Sequence, residues 1–198
     1  MIIMKKETVI LGLVMFVLGV LAGIVVPKYF SKKGGEEIVS SEFTGQGREE
    51  FQQVQDKSQE ISQLQSILFS SPENLGARIQ LGNAYFDTRQ WAKAAEEYKK
   101  VLEKDSKNSD VRTDLGICYR ESGDYDKAIE EFKKAAEDSP NHLNSRFNLG
   151  IVYHFDKRDY MNAKKAWEEY LKAAPSGEKS DEVKGFLQQI DKIVLGKG

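Results

Sequence analysis

The chain has 198 residues, of which 40% are apolar and 30% charged, and its formal net charge is -2. That length points to one domain with appendages, and the near-neutral charge removes the footprint of a nucleic-acid binder, so no nucleic acid is expected as a partner. The single cysteine, Cys118, excludes an internal disulfide framework.

After a short tail, residues 1–7, Thr8 to Val26 form an apolar run without a charge. As a helix this run would be roughly 28 Å long, close to the hydrocarbon thickness of a bilayer. Lys5 and Lys6 precede it and Pro27-Lys28 close it. Residues 8–26 are therefore expected as an uncleaved transmembrane helix, a single-pass anchor in the cell inner membrane. A cleaved signal peptide ending at Val20-Leu21-Ala22 is the alternative, although the apolar run continues past that point. No cysteine comes after the run, so a lipoprotein is not supported. Gly19 and Gly23 form a small-xxx-small pair, a route to a homo-oligomer. Lys28, Lys32 and Lys33 favour a cytoplasmic C-terminal side. The very short tail before a first apolar segment favours export, so the remainder is expected on the periplasmic or extracytoplasmic side.

Residues 27–47, rich in Gly, Ser, Lys and Glu, read as a flexible linker. In residues 48–71, Phe51, Val54, Ser58, Ile61, Gln65 and Leu68 alternate at three- and four-residue steps, and Leu64 and Ile67 widen the stripe. This is an amphipathic helix. Two polar residues on its seam weigh against a strong coiled coil, so the helix is expected to pack on the helices C-terminal to it. Ser70-Ser71-Pro72 ends it.

From here the chain repeats itself. Leu81-Gly82 recurs as Leu115-Gly116 and Leu149-Gly150, 34 residues apart each time. Tyr85, Tyr119 and Tyr153 stand three residues after each Gly. Ala94, Ala128 and Ala163 come next, the last delayed by one residue, which places an insertion in the third inter-helix turn. Four residues beyond each Ala stands Tyr98, Phe132 or Trp167, and Pro140 and Pro175 close the later copies. Each copy would be two antiparallel helices. The Gly and the Ala let them approach closely, and the large residue fills the space between. Gly123-Asp124 is a turn signal within the second copy. In 178–198, Val183, Phe186, Leu187, Ile190 and Val194 form one more apolar stripe, expected as a capping helix with a tail behind it.

The pattern L-G-x-x-Y, A-x-x-x-aromatic, P at this period resembles the tetratricopeptide repeat family. Three copies fit within 72–177: residues 75–108, 109–142 and 143–177. Arg78, Arg112 and Arg146 stand where the family often has Trp. The resemblance implies an all-α superhelical solenoid of antiparallel helix pairs, here preceded by the transmembrane helix. It also implies a protein or peptide partner held in an inner groove lined by the first helix of each copy. Positions that turn away from packing give Ile79, Gln80, Asn83 and Phe86 in the first copy. They give Asp114, Ile117 and Arg120 in the second, and Phe147, Asn148, Ile151 and His154 in the third. Family members that clamp a C-terminal carboxylate use basic residues where Ile79, Asn144 and Asn148 stand here, so that mode is not expected. The phrase Ile61-Ser62-Gln63-Leu64 ahead of Pro72-Glu73-Asn74 resembles membrane-anchored bacterial repeat proteins of cytochrome c maturation, and also those of cell-envelope assembly.

Catalytic constellations are missing from the sequence. Gly34-Gly35 is not preceded by a strand, and His142 and His154 lie about 18 Å apart by helical rise alone. Cys118 reads as a packed small residue. No enzyme, cofactor or metal is expected. The expected function is a membrane-anchored interaction scaffold in cell-envelope assembly. A structural subunit of a membrane-associated complex and an apocytochrome-binding maturation factor are the alternatives.

Overall fold

A computed structural model describes residues 45–196. From residue 49 onward the chain forms one compact unit. The described helices are α1 Gly45–Ser70, α2 Leu75–Asp87, α3 Trp91–Lys104, α4 Ser109–Glu121, α5 Tyr125–Asp138, α6 Leu143–Ile151, α7 Tyr160–Ala173 and α8 Glu178–Val194. A π-helical turn, Val152–Asp156, continues α6.

Local chemistry sets the helix ends. Asn74 and Asn108 cap α2 and α4 by accepting from the backbone N–H of Ala77 and Val111, at 3.0 and 3.1 Å, and Asp159 does the same for α7. The turns between paired helices each use a residue with positive φ: Arg89 at 56°, Gly123 at 82° and Arg158 at 53°. Only glycine adopts that backbone without steric cost. Arg158→Gly is therefore expected to stabilise the protein by about 0.5–1 kcal/mol, read as a higher midpoint in thermal unfolding.

The pairs α2–α3, α4–α5 and α6–α7 are held by one device. In each, an aromatic ring of the second helix lies against the glycine of the first: Tyr98 on Gly82, Phe132 on Gly116, Trp167 on Gly150. Ala94, Ala128 and Ala163 are fully buried beside them. Tyr98, Phe132 and Trp167 are among the largest fully buried side chains of the described residues. The family's usual small residue gives way to Val101 and Tyr170 in the outer copies, and both are still buried in the core.

The ends of the array are half-copies. Leu64 stands 34 residues before Tyr98, and Pro72 34 before Ser106. The C-terminal part of α1 accordingly packs as a second helix: Leu64 and Leu68 are buried with Leu81, Ala84 and Tyr85, and Gln65 Nε2 donates to the Tyr85 hydroxyl at 2.9 Å. At the other end α8 packs as a first helix, with Gly185 35 residues after Gly150. It buries Val183 and Ile190 and stacks Phe186 on Trp167, ring centroids 4.7 Å apart. No second helix comes after α8 among the described residues, so the space over Gly185 is open. Val194, expected on the apolar stripe, is 52% exposed, because the chain has run past the end of α7 there.

Two sequence expectations are corrected. The extra residue of the third copy does not lengthen the turn. It is absorbed in the π-helical turn, where Lys157 N–H donates to the Val152 carbonyl and Asp159 N–H to that of Tyr153. The second correction concerns the membrane. Among the described residues no helix is long and apolar enough to cross one. The longest, α1, has 26 residues but carries Arg48, Glu49, Glu50, Asp56, Lys57 and Glu60. The expected transmembrane helix at 8–26 lies outside the described residues. The fold is thus the all-α solenoid, with no membrane-spanning helix among the described residues. The membrane as a partner, the single-pass inner-membrane placement and the extracytoplasmic orientation go with it. Cell-envelope assembly, the membrane-complex subunit and cytochrome maturation rested on the same anchor and are not carried forward.

Candidate functional site

The first helices α2, α4 and α6 stand side by side, and their 34-residue register lines the expected groove residues into columns. Gln80, Asp114 and Asn148 occupy one column. Gln80 is exposed and makes no hydrogen bond among the described residues, whereas Asn148 is half-buried and donates to the Asn144 carbonyl at 2.9 Å. Asp114 between them is half-buried, with no hydrogen bond to its carboxylate among the described residues. Burial pushes its carboxyl up to about 6, the nearby Asp110 charge adding to the shift and His142 opposing it.

Asn83, Ile117 and Ile151 form the next column. Asn83 is exposed, but its Oδ1 accepts from the Tyr98 hydroxyl at 2.8 Å, so this amide orients the ring that packs on Gly82. Ile117 and Ile151 are half-buried against the second core cluster. Ile79 is half-buried against the first. Phe147, in register with Ile79 two copies earlier, sits edge-on to Tyr170 and carries the Lys179 ammonium 4.2 Å from its ring centre. The last column holds Phe86, Arg120 and His154. Phe86 meets Trp91 edge-on at 5.1 Å. Arg120 reaches the π-helical turn and donates to both carboxylate oxygens of Asp156, at 2.5 and 3.3 Å.

His154 does not face solvent. It is buried among Phe155, Tyr160, Trp167 and Phe186, with Nδ1 unpartnered among the described residues, and burial lowers its pKa. The helix α8 supplies Phe186, which is why the first helix alone gave no sign of this burial. The expected groove set therefore divides. Gln80 and Asp114 have polar groups without partners among the described residues. Asn83, Asn148 and Arg120 are engaged within the protein, and the apolar members are partly spent on packing.

Two features escaped the sequence reading. Asp110 in the first turn of α4 and His142 at the N-cap of α6 meet, with His142 Nε2 and Asp110 Oδ1 3.0 Å apart. Arg78 and Arg112 are ionic clamps: each pairs with a glutamate 19 residues on, Glu97 or Glu131, at 2.7 Å. The guanidinium fork and its apolar stem thus occupy the place of the family's Trp. The repeated Arg/Glu spacing was a readable signal for them. Cys118 is fully buried, and burial pushes its thiol up to about 12, which keeps it unreactive. No group of acidic, histidine or cysteine side chains among the described residues could hold a metal ion.

Stacked antiparallel helix pairs, with a half-copy at each end of the described array, define a helical solenoid. The profile of the tetratricopeptide repeat family matches residues 79–142. Solved structures agree on the fold. A crystal structure of MamA is 18% identical and superposes with a TM-score of 0.60, covering 80% of this chain and 98% of the other. The Sgt2 repeat domain from Aspergillus fumigatus is 26% identical, TM-score 0.56, covering 64% and 83%. The first repeat domain of Spaghetti (RPAP3), solved bound to the HSP90 peptide SRMEEVD, is 20% identical, TM-score 0.56, covering 62% and 94%. No curated protein matches the sequence.

Proposed function

We propose that this protein is a non-enzymatic interaction scaffold that holds an extended segment of a partner protein along α2, α4 and α6. The observation that carries this reading is Asp114. A half-buried carboxylate at the centre of the face, without a hydrogen-bond donor among the described residues, is costly alone and is relieved by a ligand that brings donors to it. Gln80 beside it offers a free amide, and Ile117 and Ile151 offer apolar area. Main-chain N–H groups or a cationic side chain of a peptide would complete the set. The peptide in the Spaghetti structure supports the reading only as a mode of use of the fold. The acidic SRMEEVD end has no basic counterpart at Ile79, Asn144 and Asn148 here.

Placing a photo-crosslinking residue at Gln80 in the full chain tests the proposal, with the same residue at exposed Lys99 on α3 as the comparison. Capture of a partner at position 80, weakened by Asp114→Asn, is the expected result. Capture at position 99 alone would move the site to the second helices and sink the reading.

Asp114 also sets a pH dependence. Its folded pKa, about 6, lies above the ordinary aspartate value of 3.8. The stability it confers is full below the lower value and is lost as pH rises through the upper one. Asp114→Asn should therefore melt higher than the parent at pH 8, by an amount on the order of 1–2 kcal/mol given the partial exposure, and the two should converge near pH 4. Equal differences at both pH values would show that the carboxylate is solvated.

A further inference from the structure

One substitution among the three copies leaves an arginine without its partner. Arg78 Nη1 donates to Glu97 Oε2 at 2.7 Å and its Nη2 to the Pro72 carbonyl at 2.6 Å. Arg112 repeats this with Glu131 at 2.7 Å and the Ser106 carbonyl at 2.5 Å. Each glutamate immediately precedes the aromatic residue that packs on the glycine. In the third copy the residue before Trp167 is Ala166. Arg146 is left with two carbonyls, those of His142 and Ala136, both at 3.3 Å, and with no carboxylate among the described residues.

That guanidinium does not lie on a filled surface. It lines a cavity of about 410 Å³ between α5, α6 and α7, together with Lys133, Lys165, Glu137 and Glu169. Basic groups outnumber acidic ones there, and neither glutamate reaches Arg146 at ion-pair distance. An adjoining cavity of about 290 Å³ shares Arg146 and Glu169 and adds Lys172. No residue of the Gln80, Asn83 or Phe86 columns lines either cavity.

We propose that this cavity binds a glutamate or aspartate side chain of an extended acidic protein segment, whose carboxylate takes the place that Glu97 and Glu131 hold in the other copies. Arginine's planar fork favours a carboxylate with two oxygens to offer. Partial burial makes the pair stronger than it would be in open solvent. The continuation toward Lys172 gives room for more than one acidic residue, which favours a segment of chain over a free small acid. The site lies apart from the first-helix columns, so it stands or falls independently of them.

The test titrates the full chain, labelled at its arginines, with a hexaglutamate peptide and tracks the side-chain Nε–H resonances by NMR. The Arg146 resonance should shift saturably, while those of Arg78 and Arg112 stay in place. Ala166→Glu supplies the missing carboxylate from within. It should weaken hexaglutamate binding roughly tenfold or more, the size of one lost charge-assisted hydrogen-bonded pair, without lowering the unfolding midpoint. Arg146→Gln should lose the binding as well. Undiminished affinity in folded Arg146→Gln, or in folded Ala166→Glu, would overturn the proposal. Glutarate binding as tightly as hexaglutamate would assign the cavity to a small acid and overturn the segment.

Discussion

Gly116→Leu is expected to destabilise the protein by about 3 kcal/mol, the upper end of what overpacking a core costs. A Cβ at this position would stand 2.6 Å from Phe132 Cε1 and 2.8 Å from Cδ1, closer than carbon atoms approach. Phe132 cannot rotate away, because it is fully buried among the helices of the central copy. The second helix would have to move off the first, and the clash would spread to both neighbours. Unfolding of the full chain monitored by circular dichroism is the measurement. Gly185→Ala is the control. Nothing lies within 4 Å of a Cβ built there, so it should raise stability by about 0.5–1 kcal/mol through helix propensity. An unchanged midpoint for Gly116→Leu would mean that the two helices are not paired through this glycine.

Glu131→Ala is expected to cost about 3 kcal/mol, because it takes the nearer carboxylate from a mostly buried guanidinium and leaves it only the longer pairing with Asp138 at 3.5 Å. Arg112 and Glu131 are only 12% and 14% exposed at their side chains and meet at 2.7 Å. The loss should be much smaller when Arg112 is removed as well. The double variant Arg112→Met with Glu131→Leu would then unfold near the parent, since apolar replacements of similar volume often offset a buried pair. Equal losses in the single and double variants would show that the two residues act through packing alone. The third copy already lives with half of this change, as Ala166 stands where the glutamate partner of Arg146 would be, which is why its arginine is open to an outside carboxylate.

Much of the helix pairing was readable in the residues. A glycine, an alanine and an aromatic residue at fixed offsets can only be satisfied by two helices in close antiparallel contact, and the 34-residue period repeats that demand three times. Other features were less legible. The extra residue between Gly150 and Ala163 was read from spacing into the inter-helix turn. Its home in a π-helical turn depends on backbone hydrogen bonds shifting together, with Arg120 of the copy before holding Asp156. The candidate groove was read as one surface, because side-chain direction on a lone helix is all that periodicity supplies. Whether Asn83 is free or bonded to Tyr98 depends on a residue 15 positions on, in another helix. His154 vanishes under a ring from α8 that no local pattern ties to it.

By itself the sequence determined the repeat and which residues touch within a copy. Those are short-range consequences of residue size at fixed spacing. Only the tertiary structure decided which polar groups remain unpaired, because pairing is settled between copies, by distances of a few ångströms across helices remote in sequence. The sequence shows that Asp114 is the charged member of its column and that Arg146 has Ala166 where Arg78 and Arg112 have a glutamate, but not that either group is left unpaired. They stand out once Glu97, Glu131, Ala166 and His142 are placed around them, and an unpaired charge in a partly buried site is where a partner has the most to offer.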